Sequence, residues 1–203
     1  MSVGMASLSD HSDASTGEAK SKQSEYLLQS LHEAPALSAS IVSPSQLRYA
    51  QLEKLAVNSV INPLTTIFDC LNGQLFNRPT IHQLIQRLIV EISPILLRLL
   101  FSDVDTSSTN NSTAPLLFSP QALESTIADV AAKTAMNSSS MRADMHLGKK
   151  TEIDYINGYV VARASEMGFE CLLNQKLVEM VHGGEVISVD RINDYFPPSS
   201  PLL

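Results

Sequence analysis

The chain has 203 residues, a net charge of −7 and a pI near 5.1, which suits one or two domains and argues against nucleic acid, whose phosphates need a clustered basic surface. Its 14 lysines and arginines are scattered, and only Lys149 and Lys150 of these are adjacent. The two cysteines, Cys70 and Cys171, form no CxxC, and the five histidines fall in no metal-binding spacing, so buried free thiols and no metal are expected.

Residues 1–24 offer only Met1, Val3, Met5 and Leu8 as larger apolar side chains among Ser, Asp, Gly and Lys. Such a composition does not offset chain entropy, and a disordered tail is expected. The start also lacks a basic segment followed by an apolar one, so no secretory signal is read, and its acids and scarce arginines argue against a transit peptide. The expected compartment is the cytosol, with the mitochondrion kept open. Ser24 to Leu31 suits a short helix ended by Ala34-Pro35, and Ser43-Pro44 supplies an N-cap with proline at the first helical position.

The stretch Leu52 to Leu75 organises the chain. Val57, Val60/Ile61, Leu64, Ile67/Phe68 and Leu71 recur three and four apart, the period of a helix with one buried face. Lys54, Asn58 and Asn62 are spaced by four and share one side of it. A lone helical lysine is ordinarily a solvated surface group. Two asparagines in register with it, poor helix formers both, make a row suited to hydrogen bonding a ligand. Pro63 removes a backbone donor in mid-helix, which should kink the helix and free a carbonyl near Asn58 or Ser59. Asn72-Gly73 is expected to end the helix.

Thr80, with Gln83 three residues on, reads as the cap of the next helix. Its stripe runs through Ile81, Leu84/Ile85, Leu88/Ile89, Ile92, Ile95/Leu96 and Leu99/Leu100, with a bend at Ser93-Pro94. Gln83, Gln86, Arg87, Glu91 and Arg98 interrupt this run, so it is a core helix and no membrane span. Residues 103–115 are polar and aperiodic and read as a flexible insertion. Ser119-Pro120 caps a helix bearing Leu123, Ile127 and Val130.

Ser140 is read as the cap of a short helix ending at Gly148, and Thr151 as the cap of the next, with Ile153, Ile156, Val160 and Ala164 facing inward. Glu152 and Asp154 lie in that helix's first turn, where acids complement the helix dipole. Asn174 begins a final helix closed by His182-Gly183-Gly184, and 185–203 reads as an irregular tail. An all-α helical bundle over 25–184 is the expected architecture.

The run KLAVNSVINPLTTIFDCLNGQL at Lys54 to Leu75, together with Ser140-Met141 and KTEIDYINGYVV at Lys150 to Val161, resembles the C-terminal domain of the ketopantoate reductase family. The resemblance implies a helical domain of the 6-phosphogluconate-dehydrogenase C-terminal type, packed on a Rossmann domain that binds NADPH. It also implies hydride transfer to the C2 ketone of a ketopantoate-like 2-oxo acid, on the route to pantothenate and coenzyme A. By that resemblance Lys54 is the general acid, Asn58 and Asn62 orient substrate, and Ser140 binds its carboxylate. Glu152 contacts both substrate and cofactor and steadies the lysine.

The family's G-x-G-x-x-G cofactor fingerprint does not occur in this sequence. The chain is therefore expected to be inactive alone, and to meet either a separate Rossmann-domain partner or a second copy of itself. The alternative is a dimerisation or scaffold module derived from the family.

Overall fold

The structure, a computed structural model, describes residues 2–3, 14–37, 39–101 and 114–198. It divides into two compact units, 1–51 and 52–203.

In the first unit, helix α1 spans Ala14–Glu33, entering the segment expected to be disordered. The imidazole of His32 at its end lies 3.0 Å from the Ala39 carbonyl. Two-residue strands β1 (Ser2–Val3) and β2 (Ser40–Ile41) pair in parallel. Helix α2, Pro44–Ile67, begins as its sequence dictates. The Ser43 hydroxyl accepts from the Gln46 amide at 3.2 Å, the Gln46 side chain accepts from the Ser43 amide at 2.9 Å, and Pro44 takes the position where no donor is needed.

The second unit is all helix among the described residues. From Ser59 to Ile67 every residue of α2 is buried. The helix runs on through Pro63 and ends at Ile67, five residues before the expected Asn72-Gly73 stop. Asp69, at φ 45°, turns the chain out of it, an aspartate being among the few residues that tolerate left-handed backbone. Asn72–Asn77 then forms a 3₁₀ turn.

Helix α3 is Pro79–Phe101. Proline again occupies the first helical position, which places Thr80 inside the helix and not at its cap. Ile81, Leu84, Ile85, Leu88, Ile89, Ile92, Ile95 and Leu96 are each 2% exposed or less, and burying each such side chain contributes about 1.5–3 kcal/mol. The expected insertion at 103–115 lies outside the described residues but for its last two. Helices α4 (Ala114–Leu117) and α5 (Pro120–Lys133) follow, the second capped by Ser119 as expected. Helices α6 (Ser140–His146), α7 (Ile153–Glu166) and α8 (Leu172–His182) complete the bundle.

The segment read as an irregular tail packs onto this bundle. Ile187, Ile192 and Phe196 are buried, the Ile187 amide donates to the Ile67 carbonyl at 2.8 Å, and α9 spans Ile192–Tyr195. Three apolar anchors spaced by four and five residues were the overlooked signal. No helix among the described residues is long and apolar enough to cross a membrane.

Candidate functional site

The row on α2 descends from solvent into the core. Lys54 is exposed, Asn58 half-buried and Asn62 only 7% exposed. A charged head in water and two carboxamides leading inward form a polar track along the helix.

Two buried hydrogen bonds bring other segments to this helix. The hydroxyls of Thr65 and Ser139 lie 2.7 Å apart, at 0% and 5% exposure. Ser139 is the cap of α6, with extended backbone and its Oγ accepting from the Arg142 amide at 3.1 Å. This corrects the expectation that Ser140 caps the helix. Three successive serines offer the same capping chemistry, and the register is decided by which hydroxyl meets Thr65. Ser140 is the first helical residue, exposed, with its hydroxyl not spent on capping.

Helix α6 is held a second time from its outer side. Arg142 Nε donates to Asp69 Oδ1 at 2.8 Å, and His146 Nε2 lies 2.7 Å from the same oxygen. Burial pushes the Asp69 carboxyl up, but hydrogen bonds from His146 and Arg142 outweigh it and hold the group below its ordinary value.

The second hydrogen bond answers Pro63. With no amide hydrogen at position 63, the Ser59 carbonyl has no partner within the helix. It accepts instead from Asn157 Nδ2 of α7 at 2.8 Å, as the sequence anticipated for a freed carbonyl near Ser59. The same nitrogen donates to Asn174 Oδ1 at 3.0 Å, and Asn174 Nδ2 donates to Glu91 Oε2 of α3 at 2.9 Å. Glu91 also accepts the backbone amides of Leu173 and Asn174, at 2.8 and 3.1 Å. It thus caps α8 from another helix, and α8 starts at Leu172 rather than at Asn174.

Glu152 stands at the entrance of α7, exposed, in the cap position read from sequence for Thr151; its side chain makes no capping bond. Five residues, about 7.5 Å of helix rise, separate it from Asn157. Asp154 in the first turn pairs with His182 at 2.9 Å. The side chains of Lys54, Asn58, Asn62, Ser140 and Glu152 form no hydrogen bond or ion pair with another described residue.

Sequence reasoning missed Thr65, Ser139, Asn157, Asn174 and Glu91. Asn157 carried a signal, since it interrupts the apolar stripe Ile153, Ile156, Val160, Ala164; Thr65 carried none. Cys70 and Cys171 are free thiols that burial pushes up to about 11 and about 12, so neither supplies a thiolate at neutral pH.

A cleft of about 640 Å³ opens elsewhere, between α3, the start of α8 and α9, lined by Arg87, Val90, Glu91, Leu172 and Phe196 among others. None of the five expected residues lines it. Its charged groups are already engaged, Arg87 with the Phe196 carbonyl at 3.1 Å and Glu91 with α8.

Residues 46–185 match the family model described as "Ketopantoate reductase PanE/ApbA C terminal". A protein of Schizosaccharomyces pombe named "Probable 2-dehydropantoate 2-reductase" is 34% identical over 155 residues, covering 75% of this chain and 42% of its own. The "2-dehydropantoate 2-reductase" of Yersinia pestis is 35% identical, over 72% of this chain and 42% of its own. The solved structure of a "Probable 2-dehydropantoate 2-reductase" from Bacillus subtilis superposes with a TM-score of 0.58 at 24% identity, over 72% of this chain and 44% of that one. The chain thus spans under half the length of these relatives.

Proposed function

Because this chain belongs to the ketopantoate reductase C-terminal family, we propose that it supplies the substrate-binding and proton-donating wall of an NADPH-dependent 2-dehydropantoate 2-reductase. The observation that carries this reading is the pair of buried hydrogen bonds, Thr65 to Ser139 and Ser59 to Asn157, which ties to α2 the two segments bearing Ser140 and Glu152.

Each residue has a role its chemistry suits. A lysine side chain carries its proton at neutral pH, and Lys54 Nζ at the rim of the row donates to the alkoxide oxygen that forms at C2 as the ketone is reduced. Its positive charge stabilises that oxygen as charge develops. Asn58 and Asn62 each present one donor amine and one acceptor oxygen, which fix the ketone and hydroxyl of a branched 2-oxo acid. Ser140 donates to the substrate carboxylate. Glu152 accepts from the substrate hydroxyl and steadies the Lys54 ammonium. Glu152 also contacts the cofactor held by the nucleotide-binding domain.

The described residues do not form a pyrophosphate cradle. The glycines with positive φ, Gly148, Gly168 and Gly184, each lie just past a helix end, where no amides of a following strand-to-helix turn converge. Hydride delivery therefore belongs to a nucleotide-binding domain outside these residues, and the chain's own share is binding, orientation and the proton.

The test is complementation. The full chain is mixed with the separately expressed Rossmann domain of a relative, with NADPH and 2-dehydropantoate supplied. The chain alone is expected to give no turnover and the mixture to oxidise NADPH, with Lys54→Ala lowering the restored rate by about 10²–10⁴-fold. No restored turnover, with the chain forming a stable homodimer by itself, would favour the scaffold reading.

A further inference from the structure

The buried polar chain from Ser59 to Glu91 has a fixed direction. A backbone carbonyl at one end and a carboxylate at the other can only accept, so Asn157 must turn its nitrogen to Ser59 and Asn174 its nitrogen to Glu91. Asn157 Nδ2 then serves two acceptors at once, the Ser59 carbonyl and Asn174 Oδ1. Only a group with two hydrogens on one nitrogen does this at an uncharged buried site. A serine or threonine would satisfy one acceptor and orphan the other. Asn157 is 0% exposed, and its own Oδ1 has no partner among the described residues, a cost accepted for a residue kept for its donors.

The carbonyl it meets lies inside the row, one residue after Asn58 and three before Asn62. It is open only because position 63 is proline. Proline and asparagine therefore work as a matched pair on different helices, the first creating a gap and the second filling it from α7. We infer that Asn157 is a positioning residue, whose amide pins α7 to the gap opened by Pro63 and so sets the distance between the Lys54–Asn58–Asn62 row and Glu152. The positioning role rests on the proposed function; the pairing of Pro63 with Asn157 does not.

The experiment is a double-mutant cycle on the full chain with Pro63→Ala, Asn157→Ala and the double variant. Folding is read by urea denaturation, and pantoate binding by ligand-titrated NMR. Pro63→Ala returns an amide hydrogen that serves Ser59 within the helix, which removes that duty from Asn157 and leaves only its bond to Asn174 Oδ1. Asn157→Ala is expected to lower the folding constant about 10- to 100-fold in the parent and less than about 5-fold beside Pro63→Ala. Asn157→Ala and Pro63→Ala should each weaken pantoate about tenfold, and together no more than either alone. Should Asn157→Ala fail to fold, Asn157→Ser, which keeps one donor, replaces it in the same cycle.

Equal losses of folding in both backgrounds would overturn the pairing. A strong folding coupling with unchanged pantoate affinity in all variants would overturn the positioning role. A parent chain that binds no pantoate would instead sink the proposed function, and the positioning role with it, while the folding cycle still reports on the pair.

Discussion

The two junctions that fasten α6 and α7 to α2 are built from opposite materials. The α6 junction has a buried hydroxyl pair, Thr65 with Ser139, but its other contacts fall on a half-exposed carboxylate, Asp69 being met by the Arg142 guanidinium and the His146 imidazole with its side chain 44% exposed. The α7 junction is wholly interior between Ser59, Asn157 and Asn174, each 0% exposed, and reaches a charge only at Glu91. The first is open to water and salt, which screen it; the second has no solvent to replace a lost partner. The segment carrying Ser140 is thus held adjustably and the segment carrying Glu152 rigidly, which suits the roles proposed for them, a grip on one end of the ligand and a carboxylate fixed against a lysine.

The sharpest way to break this contrast is Asn157→Asp. A carboxylate there would face the Ser59 carbonyl and Asn174 Oδ1 with no donor, and should cost about 3–5 kcal/mol, read from urea unfolding at neutral pH and unaltered by 1 M salt. Glu91→Gln keeps the shape but replaces a charged acceptor of three hydrogen bonds with a neutral one. A loss of about 1.5–3 kcal/mol is expected, with hydrogen exchange rising first at the Leu173 and Asn174 amides. Thr65→Val removes the hydroxyl that meets Ser139 at nearly constant volume. It should cost about 1–2 kcal/mol and, in the complemented enzyme, raise the Michaelis constant through Ser140 more than it lowers kcat.

The smallest effect belongs to Asp69→Asn, below about 1 kcal/mol for so exposed a pair. The folded carboxyl sits below its usual 3.8, so its contribution is complete above that value and is lost as pH falls through the lower folded one. The gap in urea midpoint between parent and Asp69→Asn should therefore be present at pH 7, close below about pH 4, and shrink in 1 M salt. An Asp69 gap indifferent to salt, or an Asn157 gap sensitive to it, would erase the distinction between the junctions.

Much of this was legible because it is written locally. Period announced α2, α3 and α5, capping residues added the starts of α2 and α5, and the loss of a donor at Pro63 foretold an open carbonyl near Ser59. What fills that gap comes from 98 residues away, and no local pattern names it; only a lone asparagine on an apolar stripe hints at the need. The cap of α6 slipped by one because Ser138, Ser139 and Ser140 are chemically alike and Thr65 decides among them. The packing of 185–198 onto the bundle was not read, because its anchors Ile187, Ile192 and Phe196 are spread over turns and a single short helix, and their spacing of five and four was the only hint. Lys54, Asn58 and Asn62 were visible as a row, whereas Ser140 and Glu152 came from family resemblance, each looking like an ordinary helix-start residue.

The central claim is that three separate stretches of chain present five side chains to one ligand. Amide NMR of the full isotope-labelled chain, titrated with pantoate, tests it most directly. The account predicts saturable shifts confined to the neighbourhoods of Lys54, Asn58, Asn62, Ser140 and Glu152, lost in Asn62→Ala. Shifts centred instead on Arg87, Val90 and Leu172 in the cleft beside α9, or none at any concentration, would contradict it.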